Sequence, residues 1–537
     1  MEILSVKNLN FTYPEAKEKS LSDVSFCVNS GDIVLLCGEN GSGKTTLLKM
    51  LKKELSPFGK RTGEILFCGE NTESAKSSDI GFVFQDVDSQ IVCDKVWHEL
   101  AFTLENTGTE PMQMRRRVAE AAGYFGITQW IYKNTSELSG GQKQLLNLAS
   151  VTVGVPKMIL LDEPLSQLDP IACVDFINTV KRLNEDLGVT FIISEHRTGE
   201  LVSVCNKIAV MKQGKLISYG NIREKLPEIS NEAVFGNMPD CAKIWRDTGK
   251  KGECPLNVKV GKNWLSENFS FASSAPIKEF HNEYDNTLQC KNVHFRYSKH
   301  GEDIINGLSF SCKKGEVHCI LGANGSGKTT LVKLISGVLK PYSGKINIGK
   351  GKRAALLVQN VKNMFVCESV EEDLRLYCQN LGLDFSESED RTYEALELLG
   401  VADLRHRHPF DLSGGELQKC AIAKLLVSKP DILLMDEPTK SLDCVAKDNI
   451  KDIIKDLSIN GVSIVAVTHD TEFAAEISDR CSLLFDGEIT ACDVPQRFFS
   501  DNSFYTTGAS KISRDYTDFA VTCKQVSALC TEKNNEP

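Results

Sequence analysis

The sequence predicts an α/β chain of two tandem copies of one domain, each a mostly parallel sheet covered by helices. Three observations carry that reading. The stretch "GENGSGKTT" at 38–46 returns as "GANGSGKTT" at 322–330. Further landmarks recur in constant register: Gln85 and Gln359, Ser139 and Ser413, and Glu163 and Glu437 all lie 274 positions apart, and His196 and His469 lie 273 apart. Short apolar runs ending in a charged residue, such as "KMILLDEP" and "TFIISEH", alternate with longer helical stretches. Strands alternating with helices imply a parallel sheet with its ligand at the strands' carboxyl ends.

The register sets the domain organisation. Residues 1–220 form the first copy and 286–514 the second, with a connector at 221–285 and a polar tail at 515–537. Lys44 and Lys328 lie 284 apart, so the second copy has lost a net ten residues between its glycine loop and Gln359. The connector carries nine Lys/Arg and ten Asp/Glu, together with Trp245 and Trp264, so it is a balanced, partly packed segment rather than a basic arm. The tail is expected to be poorly ordered.

Bulk composition narrows the function classes. A chain of 537 residues needs several cores, and 41% apolar with 25% charged residues is ordinary globular usage. A formal charge of −10 argues against a general nucleic-acid binder, whose footprint is basic. No apolar run is long enough for a membrane-spanning helix, and the opening "MEILSVKNLNFTY" has no signal-peptide pattern. The expectation is a cytoplasmic protein that reaches a membrane only through partners. None of the 19 cysteines forms a C-x-x-C pair, so they read as small buried hydrophobes rather than disulfides or zinc ligands.

The repeated glycine stretch fits G-x-x-x-x-G-K-[ST] in both copies. Its glycines and small polar residues (Gly38, Asn40, Gly41, Ser42, Gly43; Gly322, Asn324, Gly325, Ser326, Gly327) let successive N–H groups curl inward at a helix start, where phosphate binds. Lys44 and Lys328 are expected to reach β- and γ-phosphates. Thr45 and Thr329 are expected to ligate Mg²⁺, with Thr46 and Thr330 following in the loop. Asp162 and Asp436 end apolar strands and suit the metal's shell, and Glu163 and Glu437 follow as general bases. The segments Ser139-Gly140-Gly141-Gln142 and Ser413-Gly414-Gly415-Glu416 open helices behind a serine cap, which makes another anion site. One domain does not need two γ-phosphate sites, so each serine-glycine segment is read as serving the opposite copy.

Glycine loop, single glutamine, "LSGGQ", "LLDEP", "SQLD" and a histidine ending the next strand, in that order and twice, resemble ATP-binding cassette nucleotide-binding domains. The resemblance covers nearly the whole chain. It implies two P-loop ATPase domains, each a mostly parallel sheet core with an antiparallel β subdomain and a helical subdomain. The two would pair within the chain, with two ATP molecules between them. It also implies that Gln85 and Gln359 sense metal and water, that Asp169 and Asp443 organise the seam, and that His196 and His469 contact γ-phosphate. Tyr13 and Tyr297, each 25 residues before the first loop glycine, are placed to stack on adenine. Leu165, where threonine is common in the family, is a departure that touches neither phosphate nor metal.

Two longer segments narrow the likeness. "GFVFQDVDSQIVCDKVWHELAFTLENTG" is similar to the first half of fused ATPases of energy-coupling factor transporters, and "FFSDNSFYTTGASKISR" resembles their second half. That likeness implies a peripheral subunit at the cytoplasmic membrane face, powering uptake of a vitamin or transition-metal ion. Its partners would be an integral membrane coupling subunit and a small substrate-binding membrane subunit, with no nucleic acid. Acids after each glutamine (Asp86, Asp88, Asp94, Glu99, Glu105; Glu368, Glu371, Glu372, Asp373) are expected to line grooves for arginine-bearing helices of the coupling subunit; a solvated helical face is the other reading. The rival function is a soluble twin-cassette ATPase acting on ribosomes or nucleic acid.

Overall fold

The computed structural model describes every residue except 15, 167, 197, 272–274, 278–284, 441 and 534–537, and at residue 170 the backbone alone. The connector and tail expectations that fall on 272–274, 278–284 and 534–537 therefore lie outside the described residues. The chain divides into two compact units: Met1–Pro239 with Gly252–Asn257, and Asp240–Lys251 with Val258–Pro537.

In unit 1 a six-stranded sheet runs in the order Lys215–Asn221, Lys207–Lys212, Ile33–Gly38, Thr190–Ser194, Met158–Asp162 and Ile80–Val83. All neighbours are parallel except the first pair, a hairpin. "IVLLCG", "MILLD" and "TFIIS" are buried along their whole length. Strands sheathed by helices on both faces have no solvent side to leave polar, hence the unbroken apolar runs. A second, antiparallel sheet of Leu21–Asn29, Glu2–Thr12, Lys60–Phe67 and Glu70–Asn71 shares its core with one face of the first. Helices Val96–Asn106, Pro111–Tyr124 and Gly140–Thr152 make the helical part.

Unit 2 repeats the plan. Its six strands are ordered Ala354–Leu357, Ile432–Asp436, Ser463–Thr468, Val317–Leu321, Arg480–Phe485 and Glu488–Asp493. The antiparallel sheet has three strands, Ile305–Lys313, Asn286–Phe295 and Ser343–Ile348. The α/β expectation, with its antiparallel and helical parts, matches this architecture.

The connector and tail are not free-standing pieces. Connector helices Asp240–Asp247 and Val258–Asn268 pack against Gly508–Ser513 and Cys523–Leu529, and strand Phe269–Phe271 pairs antiparallel with Cys530–Glu532. Asp240 is 5% exposed, and its Oδ2 accepts from the Ala509 N–H at 2.7 Å. Both connector indoles, Trp245 and Trp264, donate to the Lys251 carbonyl, at 3.1 and 2.9 Å. Residues 515–533, expected as a loose tail, are thus half of a folded appendix. The reason is apolar surface: Ala520, Val521 and Val526 are each at most 3% exposed.

Candidate active site

Each unit brings its glycine loop, its Asp-Glu pair and its histidine to the carboxyl ends of its central strands, while Ser139 and Ser413 stand at helix starts in the helical part. The strand Ile33–Gly38 runs through the glycine loop into helix Lys44–Met50, and Val317–Leu321 likewise into Lys328–Ile335. Gly43 and Gly327 cap these helices with φ of 98° each. A Cβ would stand 2.7 Å from the Ser20 carbonyl oxygen at Gly43 and 2.9 Å from that of Ile304 at Gly327. Left-handed backbone in such a crowded spot admits only glycine.

Beneath the loops lie the lysines. Lys44 Nζ donates to the carbonyls of Gly38 and Glu39, both at 2.9 Å, and Lys328 Nζ to those of Gly322 and Ala323, at 2.8 and 3.0 Å. Each ammonium is folded against the loop that a phosphate would occupy. Ser42 Oγ and Ser326 Oγ are buried with no hydrogen-bond partner among the described residues. An unsatisfied buried hydroxyl costs about 1–3 kcal/mol, and a phosphate oxygen is an acceptor that fits it.

Metal-type ligands sit beside each loop. Thr45 Oγ1 donates to Asp162 Oδ1 at 3.1 Å, and Ser194 Oγ donates to the same oxygen at 2.6 Å. Burial pushes the Asp162 carboxyl up, Glu163 adds to the rise, and the Ser194 and Thr45 hydrogen bonds oppose it. Asp436 follows the same rule: burial raises it, and the Thr329 hydrogen bond pulls it back. Hydroxyl and carboxylate oxygens are the hard donors Mg²⁺ takes, so the pairs Thr45–Asp162 and Thr329–Asp436 fit that ion.

The glutamates after these aspartates are held in unusual backbone, φ 46° at Glu163 and 51° at Glu437. A non-glycine residue in the left-handed region is uncommon and clusters where surrounding structure enforces it for function. The two are gripped differently. Glu163 Oε2 accepts from Gln85 Nε2 at 2.6 Å, and its Oε1 lies 3.0 Å from His196 Nε2. Glu437 Oε2 accepts from Thr468 Oγ1 at 3.2 Å and lies 2.8 Å from His469 Nδ1, with Lys328 Nζ 3.9 Å from the other oxygen. Gln359 is exposed at the end of its strand run.

Tyr13 OH bonds Thr46 Oγ1 at 3.1 Å and Tyr297 OH bonds Thr330 Oγ1 at 3.0 Å. Each tyrosine also packs edge-on against a phenylalanine, Phe11 or Phe295. Both rings stand beside the loop helix, 37% and 63% exposed. Ser139 and Ser413 cap helices Gly140–Thr152 and Gly414–Leu426 in reciprocal boxes with Gln142 and Glu416. Burial works to raise Glu416, but the Ser413 hydrogen bonds outweigh it and hold that carboxyl below its ordinary value. Asp169 and Asp443 cap the helices that follow, each accepting at 2.8 Å from the N–H of Ala172 or Ala446.

The sequence reading missed three residues. Ser194 anchors Asp162. Glu195, 2% exposed, accepts from the Leu165 N–H at 2.6 Å and the His196 N–H at 2.9 Å. Thr468 binds Glu437 from the position equivalent to Glu195. The available signal was a polar residue just before each histidine, at the end of an otherwise apolar strand.

The groove of acids needs correction at two positions. Glu99 is 4% exposed and accepts from the Val92 and Cys93 N–H groups, at 3.0 and 2.8 Å. Asp373 is fully buried, accepting from the Cys367 N–H at 2.9 Å and pairing with Lys424 at 2.9 Å. These carboxylates fasten their own loops, because a buried charge is kept only where donors compensate it. Asp88 and Glu371 are paired with Lys143 and Arg375. Asp86, Asp94, Glu105, Glu368 and Glu372 remain exposed.

The sequence profile of the ABC transporter family matches residues 21–166 and 305–440, which contain both glycine loops and both Asp-Glu pairs. A Bacillus anthracis protein, provisionally named as an ABC transporter ATP-binding protein, is 35% identical over 542 residues, covering 98% of each chain. The chain belongs to the ABC transporter family. It is a fused double ABC ATP-binding protein, and as such an ATPase. A relative of the same provisional name from Methanosarcina acetivorans is 30% identical over 544 residues, covering 91% of this chain and 84% of that one. Among solved structures, a complex of archaeal ribosomal stalk protein aP1 and archaeal ribosome recycling factor aABCE1 matches with a TM-score of 0.59 at 23% identity, covering 92% of each chain. At that identity the likeness speaks for the twin-cassette fold alone. Among the described residues of this ABC ATPase, no helix is long and apolar enough to cross a membrane.

Proposed function

We propose that this ABC ATPase powers import of a vitamin or transition-metal ion through an energy-coupling factor transporter. It would sit peripherally at the cytoplasmic membrane face, bound to an integral coupling subunit that works with a small substrate-binding membrane subunit. One observation carries the reading furthest: both copies retain a complete hydrolytic set, and relatives over nearly the full length bear transporter names. The exposed acids after each glutamine offer the charge that arginine-bearing helices of the coupling subunit would meet.

The chemistry follows from the side chains. The loop amides and Lys44 or Lys328 bind the phosphates, and Tyr13 or Tyr297 supports the adenine face. Mg²⁺, held by Thr45 and Asp162 or by Thr329 and Asp436, would supply positive charge against the phosphate oxygens. Glu163 or Glu437 accepts a proton from the attacking water, and His196 or His469 fixes that carboxylate and meets the γ-phosphate. Gln85, on Glu163, ties the first centre to the loop that leads toward the exposed acids, and Gln359 stands at the matching place in the second copy. Ser139 and Ser413 cap helix starts that offer a further anion site in each copy.

Affinity purification of the tagged chain from native membranes tests this reading. Recovery of two integral subunits is the expected result. Sedimentation with ribosomes and no integral partner would overturn it in favour of the ribosome-acting alternative.

A further inference from the structure

The residues just behind both catalytic histidines are tied to one short piece of connector. In unit 1, Thr198 is fully buried two residues after His196, and its Oγ1 donates to the Asn237 carbonyl at 2.6 Å. The same hydroxyl lies 3.7 Å from Met238 Sδ, and the neighbouring Gly199 lies against Pro239. In unit 2, Glu472 stands three residues after His469, at the start of helix Thr471–Ile477. Its Oε2 binds Lys243 Nζ at 2.9 Å, and Lys243 Nζ also binds Asp240 Oδ1 at 3.0 Å. Asp240 is in turn fastened to the Ala509 N–H. Asn237 and Lys243 are six residues apart in the chain, on either side of the Pro239–Asp240 boundary between units.

The local ties explain how a histidine could be steered. Thr198 N–H donates to the His196 carbonyl at 3.1 Å, so a shift at Asn237 passes directly to the histidine's backbone. Asp470, adjoining His469, caps the Thr471–Ile477 helix through the Phe473 N–H at 3.0 Å and pairs with Lys447 at 3.0 Å. That helix carries Glu472, so its seat is set jointly by its own cap and by Lys243. Small displacements matter in such a place, because a catalytic group moved by about 1 Å can lose orders of magnitude in rate.

We infer that residues 237–243 of the connector are a positioning element for both hydrolytic centres, setting His196 through Thr198 and His469 through Lys243 and Glu472. The inference rests on the assignment of the two histidines under Proposed function and goes beyond it. It gives the connector a role in turnover, and it makes Thr198, Lys243 and Glu472 positioning residues that touch no nucleotide.

The test uses the full chain and steady-state ATP hydrolysis, with His196→Ala and His469→Ala as references. Thr198→Val and Lys243→Met should each lower kcat by roughly tenfold with the KM for ATP unchanged, and Thr198→Ser and Lys243→Arg should restore it. Because Lys243→Met leaves Asp240 short of its cation, Glu472→Gln serves as a milder second variant with the same expected direction. Wild-type kcat in Thr198→Val and Glu472→Gln, beside crippled histidine variants, would overturn the inference alone. Wild-type kcat in the histidine variants would instead overturn the assignment beneath it. A loss that Ser and Arg do not rescue, with melting temperature falling in step, would reduce the contacts to ordinary packing and also overturn it.

Discussion

Gln85 donates its side-chain amide to Glu163 across 2.6 Å, reaching the carboxylate that follows the metal-type aspartate rather than the aspartate itself. A residue at the end of the strand Ile80–Val83 run thereby controls the orientation of the proposed base. Replacing it by a second carboxylate should be costly. In Gln85→Glu the like charges raise the pair's apparent pKa, so ionisation of the base moves to higher pH. The acidic limb of the kcat–pH profile should shift upward, and kcat at pH 7 should fall about tenfold. Stopped assays across pH 5–9 check this, where a profile matching wild type would break the link.

Glu163→Gln and Glu437→Gln should each lower steady-state hydrolysis by about a hundredfold or more while ATP still binds. Fluorescent-nucleotide titration beside a phosphate-release assay separates the two effects. Full turnover in either variant would mark that centre as regulatory.

The two serine-glycine segments differ in one charge. Glu416 carries a carboxylate at a helix start where Gln142 is neutral, and its lowered pKa keeps it ionised near neutrality. A phosphate docking at that helix start meets this carboxylate, so Glu416→Gln removes a repulsion of about 1 kcal/mol. The KM for ATP should then fall severalfold, and Gln142→Glu should raise it.

Gly43→Ala forces a Cβ to within 2.7 Å of the Ser20 carbonyl oxygen in left-handed backbone. Loss of ATP binding is expected, with destabilisation of about 1–3 kcal/mol measured by thermal melting. Gly41→Ala, where the space is open, should be milder in stability.

Acid should loosen unit 1 through Asp32, just before the strand that feeds the loop. Burial works to raise its pKa, but Lys207 at 2.8 Å, the Asn29 N–H and Asn206 outweigh it and hold it low. A carboxyl depressed in the folded state stabilises above its unfolded pKa, and that stability is lost as pH falls through the folded value. Asp32→Asn should therefore lower the melting temperature at pH 7 and flatten its decline below about pH 4.

The loops, strand-end acids, capping serines and parallel core were legible because each rests on local pattern: glycine where φ turns positive, an apolar run where both sheet faces are covered. The grip on each glutamate was not. That Gln85 and Thr468 reach these carboxylates depends on their strands flanking the one that ends in the Asp-Glu pair, and that is a matter of tertiary packing. Glu99 and Asp373 misled for a related reason. Their sequence surroundings look solvated, and only the fold reveals the backbone N–H groups that bury them.

The pairing of Phe269–Phe271 with Cys530–Glu532 has a consequence for biosynthesis. The connector helices leave the ribosome about 250 residues before the segments that cover them. At about 5–20 residues per second, their apolar faces wait from roughly a dozen seconds to most of a minute for shelter. A nascent chain of this protein therefore carries uncovered apolar helix faces midway through translation, and removing Cys523–Glu532 would strip the Asp240–Asp247 helix of its Cys523–Leu529 cover for good.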